Sequence, residues 1–194
     1  IAVSDTGIKV NHTNFATAPQ DPHFDAAGIQ SVLNRYDLCA EERYNGTLTG
    51  ATLYHSAKLP FTFNYYAGNT DVSHANAGSD HGTHVSSIAA GCDSSSRGVA
   101  YNAQIISMQV FQNGGAAWTE ILAALEDCAW LEVDALNMSL GSDNGFTQGE
   151  ADMEEVFALL TAHGVNCAVA AGNSGTAGSG NYYGSKQPTF NMDN

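Results

Sequence analysis

The sequence predicts an α/β fold of three layers, with helices covering both faces of a mainly parallel sheet. Short apolar segments rich in strand formers alternate along the chain with segments of helical periodicity. Most of these apolar segments are nearly continuous, which is typical of strands buried on both faces. With 43% apolar and 13% charged residues, a chain of 194 residues can bury one substantial core.

Five apolar segments are predicted to be strands, and the first of them ends in the turn signal Asp5-Thr6-Gly7. The predicted strands are residues 1–4, 61–66, 103–111, 134–141 and 165–173.

Four segments have the spacing of amphipathic or buried helices: residues 24–39, 81–90, 118–131 and 149–163. In the second, Val85, Ile88 and Ala89 share one face at spacings of three and four, and the small residues after His84 are expected to seat the helix against the sheet. Such alternation of strands and helices predicts βαβ units.

The length favours a single domain. Residues from about 10 to 78 are rich in turn formers, so we expect an irregular insertion around one strand, and residues 172–185 are expected to form a glycine-rich loop. The first residues resemble the middle of a strand. We therefore expect the chain to be a piece of a larger domain, incomplete at both ends.

Charge excludes one class of partner. The chain has 6 Lys and Arg against 20 Asp and Glu, a formal charge of -14, so a nucleic-acid partner is not expected. The acidic surface either aids solubility or attracts cationic peptides. No apolar run approaches the length of about 18 residues that a transmembrane segment needs.

The four cysteines lack the C-x-x-C spacing of zinc sites. Cys128 and Cys167 lie in apolar segments and are expected to be buried free thiols, although disulfides remain possible.

Polar residues follow several of the predicted strands. Asp5, the segment Ser139-Leu140-Gly141 and the pair Gly172-Asn173 come at the carboxyl ends of separate strands, and His81 begins a helix. Sites in parallel sheets form at that edge, so we expect these groups to converge.

Three kinds of chemistry could use polar groups at this edge of the sheet. A zinc site would use His81 and His84, with His74 as a third ligand, but the Glu of H-E-x-x-H is missing. A phosphate loop at GNSGTAGSG lacks the Lys-Ser/Thr that should follow. In acyl transfer, Asp5 would orient His81, His81 would act as the base, and the Asn173 amide would stabilise an oxyanion.

Four motifs in this order, IAVSDTGI, HGTHV, ALNMSLGS and AVAAGNSG, resemble those of the subtilisin-like serine peptidases, the subtilases. The stretch KLPFTFNYYAGNTDVSHA is similar to the large bacterial cell-envelope members, such as lactocepin and the streptococcal C5a peptidase.

The resemblance implies a subtilisin-like fold, with residues 1–194 forming the amino-terminal part of a catalytic domain. It implies that Asp5 and His81 are catalytic and that Asn173 is the oxyanion donor. It also implies that Ser139, Leu140, Gly141 and Gly172 bind an extended peptide or protein substrate, while His84 is not catalytic and packs or hydrogen-bonds within its helix.

One expected motif is missing, because the nucleophile sequence G-T-S-M-A-x-P occurs nowhere in these residues. We therefore expect a serine endopeptidase whose serine lies outside this chain, so that the chain alone is inactive and exposes apolar surface where the serine-bearing helix would pack. The alternative is a pseudoprotease that acts as a binding or regulatory protein.

No metal or other cofactor is predicted, although the resemblance allows calcium with no identifiable ligands. It also suggests a secreted or cell-envelope bacterial protein. The oligomeric state stays open.

Overall fold

A computed structural model describes residues 1–141, 150–170 and 173 of the protein. Its strands form one parallel sheet of five, in the order β2-β3-β1-β4-β5. The strands are β1 (Ala2–Asp5), β2 (Phe61–Asn64), β3 (Ile106–Gln109), β4 (Ala135–Met138) and β5 (Asn166–Val169). All five lie within predicted strand segments or, for β1, one residue beyond, so the parallel α/β architecture is confirmed.

Helices connect these strands. They are α1 (Ala26–Leu33), α2 (Cys39–Arg43), α3 (Gly50–Leu53), α4 (His74–Ala77), α5 (His81–Ala90), α6 (Trp118–Trp130) and α7 (Glu150–Ala162), with a 3-10 turn at Thr13–Phe15. The predicted bounds of α5 are confirmed, and those of α6 and α7 are confirmed to within one residue.

Apolar residues cover both faces of the sheet. On one face, the side chains of Ala2 and Met108 join a large core that includes Leu125 and Cys128 of α6. On the other, Val3 joins a smaller core with Ala90 of α5. Because successive strand residues point to opposite faces, Asp5 lies on the α5 side with Val3, and Ser4 lies on the α6 side with Ala2.

The predicted helix at 24–39 is wrong in length, since α1 ends at Leu33 and α2 begins at Cys39. Long-range contacts explain the break. The carboxylate of Asp127, buried within α6, accepts hydrogen bonds from the backbone N–H of Cys39 at 2.7 Å and of Ala40 at 3.0 Å. It also accepts one from the Tyr65 hydroxyl at 2.8 Å. These bonds satisfy N–H groups at the start of a new helix.

Small residues seat α5 against the sheet, as predicted: Gly82, Thr83, Ser86 and Ala90 are buried. Ile88 is 55% exposed, and Val85 is only partly buried. The reason is the close approach of α5 to β1, which leaves no room for large side chains at the contact.

The fifth strand is less buried than expected. Its residues alternate between exposed and partly buried, because in the described part of the chain β5 has a neighbouring strand on one side only. The predicted insertion at 10–78 contains four helices as well as β2, so it is more regular than the turn formers indicated. The glycine-rich loop predicted at 172–185 lies outside the described residues except for Asn173.

All four cysteines are free thiols, and Cys128 is fully buried as predicted, whereas Cys167 is only partly buried. Within residues 1–141 and 150–170, no helix has the length and apolar character needed to cross a membrane.

Candidate active site

The fold brings Asp5 and His81 into contact at the carboxyl edge of the sheet. The Nδ1 atom of His81 lies 2.8 Å from Oδ1 and 3.1 Å from Oδ2 of Asp5. The Asp5 side chain is 2% exposed, whereas that of His81 is 46% exposed. A buried carboxylate therefore holds one ring nitrogen of an imidazole whose remaining surface is open to solvent.

Asp5 is fixed by its strand and by the turn that follows it. β1 lies in the middle of the sheet, and the backbone carbonyl of Asp5 accepts a hydrogen bond from Val110 N–H at 3.0 Å. The N–H of Thr6 donates to Asp5 Oδ1 at 2.7 Å. Gly7, with a φ of 90°, then reverses the chain direction in a conformation that favours glycine.

His81 is held through the backbone at the start of α5. The Ser79 hydroxyl accepts from His81 N–H at 3.2 Å, and the Thr6 hydroxyl accepts from Gly82 N–H at 2.9 Å. The Thr83 hydroxyl accepts from Lys9 N–H at 2.9 Å. The turn that follows Asp5 and the first turn of α5 are thus joined by two hydrogen bonds beside the pair.

The hydrogen bond defines the acid–base chemistry open to the imidazole. An ionised carboxylate can only accept, so Nδ1 must carry the proton when His81 is neutral, and this leaves Nε2 with a lone pair. An imidazole in this tautomer can take a proton at Nε2, and the positive charge that results is stabilised by the adjacent buried carboxylate.

The positions of the other two proposed zinc ligands, His84 and His74, do not support a zinc site. His84 is exposed, so of the two expectations for it, packing within the helix is wrong and a hydrogen bond of its side chain stays a prediction. His74 begins α4 and is partly buried, with an Nδ1 that has no hydrogen-bond partner among the described residues. Within the described chain, no group of three His, Cys, Asp or Glu side chains could hold a metal ion.

The remaining predicted site residues follow β4 and β5. Ser139, partly buried, accepts a hydrogen bond from the Asn137 side chain at 3.0 Å, while Leu140 is buried and Gly141 is exposed. Asn173 is exposed, and Gly172 lies outside the described residues. In the part of the chain that the structure describes, no hydrogen bond joins Ser139 or Asn173 to Asp5 or His81.

Sequence analysis missed the hydroxyl groups of Thr6, Ser79 and Thr83. A local signal existed, because each lies within two residues of Asp5 or His81. The amide of Gln109, beside Asp5 in the sheet, and that of Asn64, one strand further from Asp5, were missed as well. Only strand register, which the sequence does not reveal, places them there.

Comparison with known proteins gives a family. The model of the subtilase family matches residues 1–191. A PII-type proteinase of Lacticaseibacillus paracasei is 32% identical, and one of Lactococcus lactis subsp. cremoris is 36% identical, each over 95% of this chain. The chain spans only 10% of the length of either relative.

Solved structures agree on the fold. A cold adapted subtilisin-like serine proteinase superposes with a TM-score of 0.53 at 23% identity, over 89% of this chain and 46% of that one. With a family model that matches almost every residue, and with the parallel sheet these proteins share, the chain belongs to the subtilase family.

Proposed function

We propose that this chain supplies the acid–base pair of a serine endopeptidase, with Asp5 as the orienting carboxylate and His81 as the general base. The observation that carries the proposal is the 2.8 Å hydrogen bond between Asp5, which is 1% exposed, and His81 Nδ1. Peptide hydrolysis by a serine needs this arrangement, because an alcohol is a poor nucleophile until a base removes its proton.

His81 acts twice in this mechanism. Nε2 first accepts the proton of the nucleophilic serine and then delivers it to the leaving amine. During acylation the imidazolium is stabilised by Asp5, whose burial keeps water from screening the attraction. Asp5 itself stays ionised throughout.

The serine is proposed to come from outside these 194 residues, because they lack the G-T-S-M-A-x-P motif. The exposed apolar residues of α5 and the loop after it support this. Ile88 is 55% exposed and Val99 is 89% exposed, and the Val99 N–H donates to the Ile88 carbonyl at 3.0 Å. Further chain packing there would cover this surface.

Substrate is proposed to be an extended peptide or protein segment. Ser139, Leu140 and Gly141 continue β4 beyond its last residue, and an extended peptide can add to such an edge through main-chain hydrogen bonds. Gly172 is proposed to line the same groove. Asn173 is proposed to donate to the oxyanion from the segment after β5.

Reaction and location follow from the same assignment. A carboxylate, an imidazole, a serine and an amide suffice for acyl transfer, so we propose that no metal or organic cofactor takes part in the chemistry. Because the relatives are bacterial proteinases, we propose a secreted or cell-envelope setting.

The test compares the 194-residue chain with the full-length product of its gene. We expect a fluorophosphonate to label the full-length product and to leave the 194-residue chain unlabelled. His81→Ala and Asp5→Ala should slow labelling by about 10⁴-fold or more, a magnitude known from subtilisin, a member of this family. His84→Ala is the matched control, since it removes a histidine from the same helix whose side chain is exposed.

Two results would contradict the proposal. Hydrolysis of a peptide ester by the 194-residue chain, abolished by His81→Ala, would mean that these residues already contain a nucleophile. A folded full-length product that binds peptide but resists labelling would favour the pseudoprotease instead.

A further inference from the structure

A row of three buried polar side chains crosses the carboxyl edge of the sheet. Asn64 of β2 lies opposite Gln109 of β3, and Gln109 lies opposite Asp5 of β1. Their exposures are 0%, 0% and 1%. Register partners point to the same face, so both amides share the α5 side of the sheet with the Asp5 carboxylate.

Gln109 bonds the segment after its own strand and packs against the turn after β1. Its Nε2 donates to the Phe111 carbonyl at 3.0 Å. Its Oε1 has no hydrogen-bond donor among the described residues, and a β-carbon placed on Gly7 would lie 2.6 Å from it. An unpaired buried acceptor destabilises a fold, so stability alone does not account for an amide at this position.

Asn64 fixes the loop on the other side of the same turn. Its Oδ1 accepts from Ala67 N–H at 3.0 Å, and its Nδ2 donates to the Asp71 carbonyl at 3.1 Å. The next residue, Val72, contacts the turn directly: its carbonyl accepts from Ile8 N–H at 2.8 Å and also leaves no room for a β-carbon on Gly7.

The side of Gly7 on which a side chain would lie is therefore closed by both the Gln109 amide and the Val72 carbonyl. The preceding residue, Thr6, bonds Asp5 and the neighbour of His81: its N–H donates to the Asp5 carboxylate, and its hydroxyl accepts from Gly82 N–H. Any displacement of Gly7 passes to Thr6 and from there to both halves of the pair.

We propose that Gln109 and Asn64 are positioning residues that hold the Asp5 turn in the geometry required for the His81 hydrogen bond. This inference depends on the proposed function in one respect, namely that the Asp5–His81 pair is the acid–base unit. Neither amide touches His81, so both act through the turn.

The tautomer of His81 reports on this geometry, because the bond to Asp5 holds the proton on Nδ1, whereas free histidine prefers Nε2. We would record ring ¹⁵N spectra of the 194-residue chain labelled at histidine, with His81→Gln to assign the signal. Gln109→Met keeps the volume of the side chain and removes its hydrogen bond. We expect the ratio of the Nδ1–H to the Nε2–H form to fall about fivefold, equivalent to one hydrogen bond of ordinary strength.

Gln104→Met is the matched control, because Gln104 lies just before β3 and Gln109 is the last residue of β3. The Gln104 side chain donates to the carbonyls of Phe24 and Ala57 and accepts from Phe24 N–H, so its loss should lower the melting temperature without changing the His81 tautomer. Asn64→Leu tests the second contact of Gly7, the one made by the Val72 carbonyl, independently and remains informative if Gln109→Met does not fold.

The outcomes separate the two proposals. An unchanged tautomer ratio in Gln109→Met and Asn64→Leu, with stability lowered as in Gln104→Met, would overturn the positioning role and leave the proposed function intact. An Nε2–H form in the unsubstituted chain would overturn both, because no pair would then exist to be positioned.

Discussion

The backbone of Gly82 packs directly against the backbone of Gly7, so that a β-carbon on Gly82 would overlap the Gly7 carbonyl oxygen and lie 3.2 Å from the Asp5 side chain. The first turn of α5 and the turn after β1 therefore meet without an intervening side chain. This contact sets the distance between the two elements that carry Asp5 and His81.

Gly82→Ala should separate α5 from β1. We expect the free energy of unfolding to fall by about 1–3 kcal/mol and the Nδ1–H form of His81 to be lost, since the added methyl group has no space. Gly115→Ala is the control, because a β-carbon there meets no atom within 4 Å. Denaturant unfolding and ring ¹⁵N spectra measure the two effects, and equal behaviour of both variants would contradict the prediction.

Ser4→Ala should stabilise the protein by about 1 kcal/mol. Ser4 is 0% exposed on the apolar α6 side of the sheet, and its hydroxyl has no partner in the described structure. Thr62→Val provides the opposite case, because the buried Thr62 hydroxyl donates to the Leu53 carbonyl at 3.2 Å. In thermal unfolding, the melting temperature of Ser4→Ala should be higher than that of the unsubstituted chain, and that of Thr62→Val should be lower. A lower melting temperature for Ser4→Ala would refute the argument.

Asp127 should make stability depend on pH. Burial raises the pKa of its carboxyl from 3.8 to about 7, although the bonds from Tyr65, Cys39 and Ala40 act in the opposite direction. A pKa raised on folding means that the folded state binds the proton more tightly than the unfolded chain. This contribution is therefore complete below about pH 4, declines as the pH rises to about 7 and is absent above, at about 1.4 kcal/mol per pH unit.

The measurement is urea unfolding at a series of pH values. The side chain of Asp127→Asn cannot titrate. The free energy of unfolding of the unsubstituted chain, relative to that of Asp127→Asn, should therefore fall from pH 4 to pH 7. Glu155→Gln, at an exposed position of α7, should leave the pH profile unchanged. A gap that is constant across this range would show that Asp127 has an ordinary pKa in the folded protein.

The exposed apolar residues should bind a hydrophobic dye. Ile88 and Val99 are joined by a backbone hydrogen bond, and the nearby Tyr101 is 42% exposed with the Arg97 guanidinium 4.1 Å from its ring centre. We expect the double variant Ile88→Ser, Val99→Ser to lose most of the dye fluorescence with little change in stability. Tyr66→Ser is the control, since Tyr66 is exposed outside this cluster. Equal fluorescence from both variants would contradict the assignment.

The sequence predicted the elements that depend on local composition. Continuous apolar runs identified β3 and β4, and the motif around Asp5 and His81 identified the pair that is in contact. It failed where a neighbour decides the outcome. Periodicity placed Ile88 on one helix face with Val85 and Ala89, yet these two are partly buried whereas Ile88 is exposed, and the buried contact of α5 is made by the close approach of Gly82 to Gly7.

Strand register accounts for most of the contacts that the sequence did not predict. The position of Gln109 beside Asp5 depends on a parallel pairing between segments about a hundred residues apart, which no window along the chain can contain. Similarly, Asp127 caps the start of α2 by bonding to Cys39 N–H, and neither residue carries a local signal for this contact.

The central position of β1 has a consequence for the order of folding. Its partners are β3 and β4, so Ala2 lies opposite Ile106 and Leu136. During synthesis β1 stays unpaired and apolar until β3, about a hundred residues further along, has been made. Such high contact order slows folding and exposes early segments to aggregation. The place of Asp5 at the edge of the sheet consequently depends on a long-range pairing, so a fault in β3 would displace Asp5 although no residue of β3 belongs to the Asp5–His81 pair.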